Sequence, residues 1–271
     1  MDADDLGRRR AASRAMWSAG HYPTVAAHLQ PAAARLVEAA GVGAGDRGLD
    51  VGTGAGGVAL QAARRGAVVT GIDHVDTWFD VAHEAARRAD VDLDLVVGDA
   101  EALPAADMAF DVVLSGFAHI FAPRHEVAAA EMARVCRSGG TVACTAWAHD
   151  TDDDAFGAFH VVARYLGADA GPDSTDWGDP AYLSARFAEH GVEMAVGRHV
   201  IAWRFPSLDA WQDFVLTASG PYQRTRAALQ AMGVWEQAWD EIREVTRRGN
   251  QATDGTYALD EEYLLAVGRC A

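Results

Sequence analysis

The sequence predicts an α/β protein with a parallel sheet that is covered by helices on both faces. Two observations indicate this class. Apolar, β-prone residues lead up to Val51, four glycines follow within residues 52–57, and residues 58–65 then have the composition of a helix. Short apolar strands continue to alternate with helical segments as far as residue 147. Strands of this kind, separated by helices, are typical of parallel sheets that are buried on both faces.

The predicted elements divide the chain into three regions. The first five strands are expected to end near Val51, Asp73, Asp99, Ser115 and Trp147. Further strands are expected over residues 192–205 and 262–269, with a helix starting at Asp179-Pro180, because Asp caps helices and Pro fits the first turn. We therefore predict a helical lid at 1–45, a core at 46–206 and 256–271, and a helical insertion at 207–255 that covers an acceptor site. In the lid, a helix near 6–16 is followed by two short helices, the second opened by Pro31.

Composition restricts the class of partner. The 271 residues are enough for one large domain or for one domain with an insertion. The formal net charge is -16, from 23 basic and 39 acidic residues. This charge disfavours nucleic acid and anionic membranes as partners, because both are bound through basic surfaces.

The cysteines and the N-terminal residues predict a cytoplasmic protein. Cys136, Cys144 and Cys270 are scattered and form no CxxC pair, so reduced thiols are expected. Residues 1–5 are acidic and lack the apolar stretch of a signal peptide. No apolar run reaches the length of a membrane span.

The glycine loop predicts that a flat, polar small molecule lies across the end of the first strand. Glycines permit a tight turn and let a ligand approach the backbone. Gly52, Gly54 and Gly57 fit the dinucleotide fingerprint GxGxxG, whereas Gly52, Gly54 and Gly56, preceded by Asp50, fit GxGxG. The loop alone leaves both ligands open. An NAD-dependent oxidoreductase is the alternative, although the chain has no Tyr-x-x-x-Lys pair for hydride chemistry.

Two acidic residues at strand ends extend this site. Asp73 lies nineteen positions after Gly54 and can accept hydrogen bonds from both ribose hydroxyls of either ligand. Asp99 ends the third strand and can accept from an adenine amino group, while the Ala100 N–H donates to a ring nitrogen. The dinucleotide template leaves Gly98-Asp99 unexplained.

Together these motifs resemble the class I S-adenosylmethionine-dependent methyltransferases. The resemblance rests on GxGxG, Asp73, the run Gly-Asp-Ala-Glu-Ala-Leu-Pro at 98–104 and Phe-Asp-Val-Val at 110–113. It points to the subfamily typified by ubiquinone and menaquinone biosynthesis enzymes and by small-molecule methyltransferases of bacterial secondary metabolism. Residues 134–141 extend the match, with Ser138 in place of the family's proline. Residues 45–150 carry most of the resemblance.

The resemblance implies a Rossmann-like sheet of seven strands in the order 3-2-1-4-5-7-6, with strand 7 antiparallel. It also implies S-adenosylmethionine as the cofactor, S-adenosylhomocysteine as the product and a small, fairly apolar metabolite as the methyl acceptor. A homo-oligomer is a possible state. The implied cofactor-binding positions are Asp50, Gly52, Thr53, Gly54, Gly56, Asp73, His74, Asp99, Ala100, Glu101, Ser115, Gly116 and Phe117.

The segment after the fourth strand favours a small-molecule acceptor. Residues 115–118, Ser-Gly-Phe-Ala, lack the Asn/Asp-Pro-Pro-Tyr of adenine and glutamine methylation and the Pro-Cys of cytosine methylation. Ser115 also replaces the acid of Mg-dependent catechol enzymes. His119 is the candidate general base, with packing or helix capping as the alternative role. His149 and His160 are weaker candidates.

Aromatic residues supply the candidate acceptor contacts. Trp17 and Tyr22 either pack the N-terminal helices on the body or close over the ligand. Trp211 and Phe214 belong to the aromatic-rich insertion, one face of which packs on the body. We expect some of these side chains to line an apolar acceptor pocket.

No metal site is predicted. The aspartates at 150, 152, 153 and 154 lack the glycine turn and the distal Glu of an EF-hand, so a solvated loop that caps the next helix is expected. A non-methylating homologue that binds the cofactor would carry the same motifs, and the sequence leaves that alternative open.

Overall fold

The computed structural model describes residues 3–148, 154–167 and 174–271. Within these residues, seven strands form one sheet in the order β3-β2-β1-β4-β5-β7-β6. β1 to β5 are parallel, and β7 is antiparallel to both β5 and β6. This topology confirms the predicted fold. The strands are β1 (Arg47–Val51), β2 (Val68–Asp73), β3 (Asp94–Val97), β4 (Phe110–Gly116), β5 (Cys136–Trp147), β6 (Val192–Phe205) and β7 (Tyr257–Cys270).

Helices precede, separate and follow the strands. Two short 3-10 turns, at His119–Phe121 and Ser174–Gly178, complete the regular structure of the described residues. None of the helices in this part of the chain is both long and apolar enough to cross a membrane. The helices are α1 (Ala3–Trp17), α2 (Tyr22–Ala39), α3 (Gly57–Ala63), α4 (Phe79–Ala89), α5 (His125–Val135), α6 (Asp154–Leu166), α7 (Pro180–Ala188), α8 (Leu208–Ala218), α9 (Gly220–Ala231) and α10 (Trp235–Arg248).

The prediction of two short helices before the first strand was wrong. α2 is one helix of 18 residues with Pro31 inside it. Proline removes one backbone hydrogen bond and disfavours a helix interior. Here α2 buries an apolar stripe that includes Leu36 and Val37, and this burial outweighs the local cost of the proline.

β7 begins five residues earlier than predicted, because its acidic run is paired across the strands. Arg198 forms an ion pair with Glu262 at 3.0 Å, and Arg204 forms one with Asp260. The Trp203 indole N–H donates to Glu261 at 2.6 Å. Cross-strand pairs of this kind stabilise a sheet, so an acidic segment that reads as a loop becomes the start of a long strand.

The core lies in two layers, one on each face of the sheet. On one face, α2, α3 and α8 pack around Leu36 and Ala59. On the other face, α5 and α7 pack around Met132 and Phe187. Neighbouring residues of one strand contribute to opposite layers, as Val113 and Leu114 do, which is the alternation expected of a sheet buried on both faces.

This arrangement brings the loops that follow β1, β2, β3 and β4 to one edge of the sheet, since parallel strands share that edge. α1 and α2 precede β1, and α8, α9 and α10 lie between β6 and β7. The two groups of helices meet where the His21 N–H donates to the Ala218 carbonyl at 3.0 Å.

Candidate ligand-binding site

A cavity lies at the carboxyl ends of the parallel strands, beneath α1. The space between its walls, including the open mouth, is about 930 Å³. Its lining comes from α1, the α1–α2 junction and the loops after β1, β2, β3 and β4. The lining residues include Arg10, Ser13, Arg14, Trp17, Tyr22, Gly52, Gly54, Asp73, His74, Trp78, Asp99, Ala100, Phe117 and Phe121.

The glycine loop is held between the loop after β4 and Tyr22. Gly52 has φ +75°, and a Cβ atom there would lie 2.1 Å from the Ala118 Cβ. Gly54 has φ +51°, and its Cβ would lie 2.9 Å from the Tyr22 ring. Both positions therefore require glycine for conformation and for space. Gly56 precedes α3 and packs against Ala82; it lies outside the cavity wall.

Asp73 joins the end of β2 to this loop. Its Oδ2 accepts the Gly54 N–H at 2.8 Å, and its Oδ1 accepts the Val75 N–H at 3.1 Å. Burial raises the pKa of the Asp73 carboxyl above its usual value. His74 also lines the cavity, with its Nε2 at 3.4 Å from the Ser13 hydroxyl of α1.

Asp50 offers an unsatisfied buried oxygen next to the loop. Its Oδ2 accepts the Thr53 hydroxyl at 2.8 Å and the Ala59 N–H at 3.0 Å. Its Oδ1 is buried and has no hydrogen-bond partner in the described part of the chain. Burial raises the pKa of the Asp50 carboxyl to about 7. A cationic group of a ligand would satisfy this oxygen and favour the ionised carboxylate.

A second, smaller cavity adjoins the first and includes this carboxyl. The two share Tyr22, Gly52 and Phe117 in their walls. Burial and the neighbouring carboxylates of Asp73 and Asp50 raise the pKa of the Tyr22 hydroxyl. The second cavity is lined by Tyr22, Ala26, Leu29, Gln30, Ala33, Asp50, Gly52, Thr53, Gly57, Val58, Gly116, Phe117 and Thr145.

The loop after β3 carries a carboxylate that is fixed from two sides. Asp99 Oδ2 lies 2.9 Å from Arg10 Nε of α1, and Asp99 Oδ1 accepts the Glu101 N–H at 2.9 Å. The Glu101 side chain is fully buried and accepts from Arg10 at 2.9 Å and from Arg124 Nε at 3.0 Å. Asp99 and Ala100 line the cavity, whereas Glu101 lies behind them and holds two arginines.

Of the residues at the end of β4, Ser115 is buried and holds the backbone, whereas Gly116 and Phe117 line the cavities. The Ser115 hydroxyl is fully buried, donates to the Val51 carbonyl at 2.8 Å and accepts the His119 N–H at 3.1 Å. Gly116 lines the second cavity, and Phe117 lines both. The Phe117 ring stacks on Trp147 at 4.3 Å between centroids, which fixes its orientation.

The structure places His119 in the core beside Trp177, with 4.6 Å between ring centroids. It is fully buried, lines neither cavity, and neither ring nitrogen has a hydrogen-bond partner among the described residues. Burial lowers the pKa of His119 to about 3, so the imidazole is neutral at physiological pH. The described residues include neither His149 nor the side chain of His160.

The predicted acceptor contacts separate into two groups. Trp17 and Tyr22 line the cavity, and Trp17 packs edge-on against Phe121 at 4.8 Å. Trp211 and Phe214 instead pack in the core of the α2 face and line neither cavity. They were predicted from the apolar spacing of their helix, which a core-facing stripe produces equally well.

Sequence reasoning missed several lining residues. Arg10, Ser13 and Arg14 share one face of α1 with the predicted Trp17, at the spacing i, i+3, i+4, i+7 that could have identified them. Trp78, Phe121, Ala122 and Pro123 belong to loops after β2 and β4. Their positions depend on loop conformation, which no periodic pattern encodes.

Comparisons with known proteins agree with this geometry. A family model described as a methyltransferase domain matches residues 49–144. The uncharacterized protein Rv1405c of Mycobacterium tuberculosis is 35% identical over 217 residues, 78% of each chain. Demethylmenaquinone methyltransferase of Renibacterium salmoninarum is 35% identical over 132 residues, which are 48% of this chain and 52% of that protein. The YcgJ protein of Bacillus subtilis has a solved structure with TM-score 0.62 and 18% identity, covering 88% of this chain and 97% of its own; this likeness shows the fold alone.

The chain belongs to the class I S-adenosylmethionine-dependent methyltransferases. The methyltransferase domain model covers β1 to most of β5 and therefore includes the glycine loop, Asp73 and Asp99. α1 and the three helices between β6 and β7 lie outside it. In this methyltransferase chain, the described residues contain no cluster of three or more His, Cys, Asp or Glu side chains suited to a metal ion. Asp150, Asp152 and Asp153 lie outside the described residues.

Proposed function

We propose that the protein transfers the methyl group of S-adenosylmethionine to a small, fairly apolar acceptor. The observation that carries this proposal is the set of three carboxyl groups around the glycine loop. Asp73 and Asp99 line the first cavity, and Asp50, whose buried Oδ1 has no hydrogen-bond partner among the described residues, lines the second. The residues fit the cofactor, because it carries a sulfonium and an ammonium group that carboxylates stabilise.

Charge also favours this cofactor over NAD. A pyrophosphate at the start of α3 would lie beside Asp50 and Asp73, whose buried carboxylates disfavour an anion. The ribose of either ligand could use Asp73, so a ribose contact at Asp73 does not discriminate between them. Asp99, which the dinucleotide template leaves unexplained, and Asp50, which opposes a pyrophosphate, separate the two hypotheses.

The bound cofactor would supply an activated methyl group that needs no further electrophilic assistance. The protein's contribution is to orient the acceptor for in-line attack and to exclude water. Phe117 is held by its stack on Trp147, and Tyr22 packs on Gly54, where the two cavities meet. α1 contributes Arg10, Ser13, Arg14 and Trp17 to the wall of the first cavity. His119 faces the core, so the proposal assigns it no proton transfer.

The aromatic residues that line the first cavity support an acceptor with an apolar body. Trp17, Trp78 and Phe121 line the first cavity with apolar surface, and aromatic rings bind flat apolar molecules well. The net charge of -16 opposes a nucleic-acid acceptor. These observations support a small metabolite with an apolar body.

The test is calorimetric titration with S-adenosylmethionine, S-adenosylhomocysteine and NAD. We compare the wild type with Asp99→Ala and with the control Asp213→Ala, which changes an exposed aspartate of α8. Micromolar binding of both adenosyl ligands, lost in Asp99→Ala and kept in Asp213→Ala, is the expected result. Binding of NAD in place of the adenosyl ligands would refute the proposal.

Methyl transfer itself needs a turnover assay. Release of S-adenosylhomocysteine in the presence of small aromatic and isoprenoid acceptors would separate an enzyme from a homologue that only binds the cofactor. Tight cofactor binding without turnover on any acceptor tested would favour the non-methylating alternative.

A further inference from the structure

The strongest unexplained feature of the site is a basic residue of α1 placed on the acidic loop after β3. Arg10 is half-buried and lines the cavity. Its guanidinium lies 2.9 Å from Asp99 and 2.9 Å from Glu101, residues that are about ninety positions away in sequence. Arg10 therefore connects the middle of α1 to the loop after β3.

We propose that Arg10 is a positioning residue: it fixes the Asp99 carboxylate for the adenine of the cofactor and, through Glu101, holds α1 closed over the cavity. This inference rests on the proposed function. Arg10 itself need not contact the reacting atoms, because it acts through the two carboxylates.

The geometry leaves Asp99 free to accept from a ligand. Asp99 Oδ2 forms an ion pair with Arg10 Nε at 2.9 Å that lacks hydrogen-bond geometry, and Asp99 Oδ1 accepts the Glu101 N–H. Each carboxylate oxygen can accept two hydrogen bonds, so at least one acceptor position remains on each. The Asp99 side chain is 30% exposed, and it lines the cavity. Its orientation is therefore set before a ligand amino group arrives, which lowers the entropic cost of binding.

Glu101 explains why an arginine fits this position. Its side chain is fully buried and also receives the Arg124 guanidinium and backbone N–H. A buried carboxylate requires such partners. The planar guanidinium donates a hydrogen bond to Glu101 from Nη2 and forms an ion pair with Asp99 through Nε, whereas the single ammonium of a lysine could not span both carboxylates.

The opposite end of α1 is also held. The Trp78 indole N–H donates to the Trp17 carbonyl at 2.9 Å, and the following turn is bonded to Ala218 through the His21 N–H at 3.0 Å. α1 is thus attached at Trp17 to the loop after β2 and at Arg10 to the loop after β3. Release of Arg10 would free the first half of the helix while the second half stays in place.

The experiment compares Arg10→Met, Arg10→Lys and the control Arg8→Met. Methionine keeps the apolar stem of arginine and removes its donors and charge. Arg8 lies on the same helix, is 70% exposed and pairs with Asp5 of that helix. Binding of S-adenosylhomocysteine is measured by calorimetry at low and high salt, and hydrogen exchange of the amides of residues 3–17 is measured with and without this ligand.

We expect Arg10→Met to weaken S-adenosylhomocysteine binding by about tenfold or more, since hydrogen bonds to charged groups carry energies of that order. Exchange in α1 should accelerate in Arg10→Met without ligand, and the ligand should no longer slow it. The wild-type Kd should rise with salt, because the Arg10 pairs are partly exposed, while that of Arg10→Met should change less. The affinity and α1 exchange rate of Arg10→Lys should lie between those of Arg10→Met and the wild type. Arg8→Met should match the wild type in both.

Three results would overturn the inference. Equal affinity of Arg10→Met and wild type would show that Arg10 does not position Asp99. Faster α1 exchange with unchanged affinity and unchanged salt dependence would leave Arg10 as a structural contact only. Loss of affinity in Arg8→Met as well would point to general disturbance of α1. If the wild type itself fails to bind S-adenosylhomocysteine, the proposed function fails first, which distinguishes that outcome from failure of the Arg10 role alone.

Discussion

The Asp73 carboxylate accepts the backbone N–H of Gly54 at 2.8 Å, so the second strand holds the loop that follows the first. The two residues are nineteen positions apart. A residue expected only to bind ligand therefore also orders the loop around it. The same carboxylate accepts the Val75 N–H, and both bonds are buried.

Asp73→Asn should lower both stability and ligand affinity. The amide presents one NH2 group to a pair of backbone N–H donors, so one buried bond is lost, at a cost of about 1–3 kcal/mol. Urea unfolding and calorimetry with S-adenosylhomocysteine measure the two effects. Asp94→Asn is the matched control, because Asp94 is exposed on β3. Unchanged stability of Asp73→Asn would contradict the role of the Gly54 bond.

Gly52→Ala should destabilise the protein more than Gly41→Ala. Both glycines have positive φ, at +75° and +70°, but a Cβ at Gly52 would lie 2.1 Å from the Ala118 Cβ, whereas nothing lies within 4 Å of one at Gly41. The conformational cost is about 1–2 kcal/mol at each site, and overpacking adds about 1–3 kcal/mol at Gly52. Equal unfolding midpoints in urea would show that the loop after β4 moves away without cost.

His119 should make the protein less stable in acid. Burial lowers its pKa in the folded state to about 3 from 6.5, so below pH 6.5 the unfolded chain takes up a proton that the folded chain does not. This stability is present above pH 6.5 and is lost as the pH falls toward 3. Asp50 acts in the opposite sense, because burial raises its pKa to about 7.

The His119 contribution can be isolated with His119→Leu. Between about pH 7.5 and pH 5.5, the wild type should lose about 1.4 kcal/mol more unfolding free energy than the variant. Comparing the two proteins cancels the contribution of Asp50. His190→Leu, at an exposed position, should keep the pH dependence of the wild type. Parallel curves for His119→Leu and wild type would mean that His119 becomes charged in the folded state.

Trp211→Ala should mainly lower stability, whereas Trp17→Ala should mainly weaken acceptor binding. Trp211 packs in the core against Tyr257, with 5.2 Å between centroids, and its truncation should cost about 3–5 kcal/mol of stability. Trp17 is half-buried and lines the cavity, so its truncation should weaken acceptor binding with a smaller loss of stability. Thermal unfolding with acceptor titration measures both. If Trp211→Ala lost acceptor binding but kept its stability, Trp211 would contact the acceptor, as the sequence analysis predicted for the insertion.

The residues at the strand ends could be predicted from sequence. The alternation of strands and helices locates each strand end, and parallel strands bring those ends to one edge of the sheet. Asp73 ends β2, Asp99 and Phe117 come just after β3 and β4, and the structure brings all three to one cavity. Side-chain direction in the following loop was beyond this reasoning. His119 is two residues past Phe117, but the 3-10 turn rotates it toward Trp177.

The contribution of α1 was also only partly predictable. The sequence predicts a helix near residues 6–16 and offers two roles for Trp17, packing or covering the ligand. It does not reveal which residue Arg10 contacts. The contact of Arg10 with Asp99 joins the predicted N-terminal lid to the predicted core. Such a pair is visible only when the helix has been placed over the sheet. For the same reason, Glu101 was predicted as a ligand contact and is found behind the cavity wall, where it holds two arginines.

The strand order has a consequence for how the molecule is made. β6, at residues 192–205, joins the sheet only through β7, at residues 257–270, which lies between it and β5. A chain emerging from the ribosome can pair β1 to β5 early, but β6 has no sheet partner until about fifty further residues have been synthesised. During that interval its long backbone edge remains open to other strands. Translation speed and chaperone access over this stretch should therefore govern the yield of correctly assembled protein.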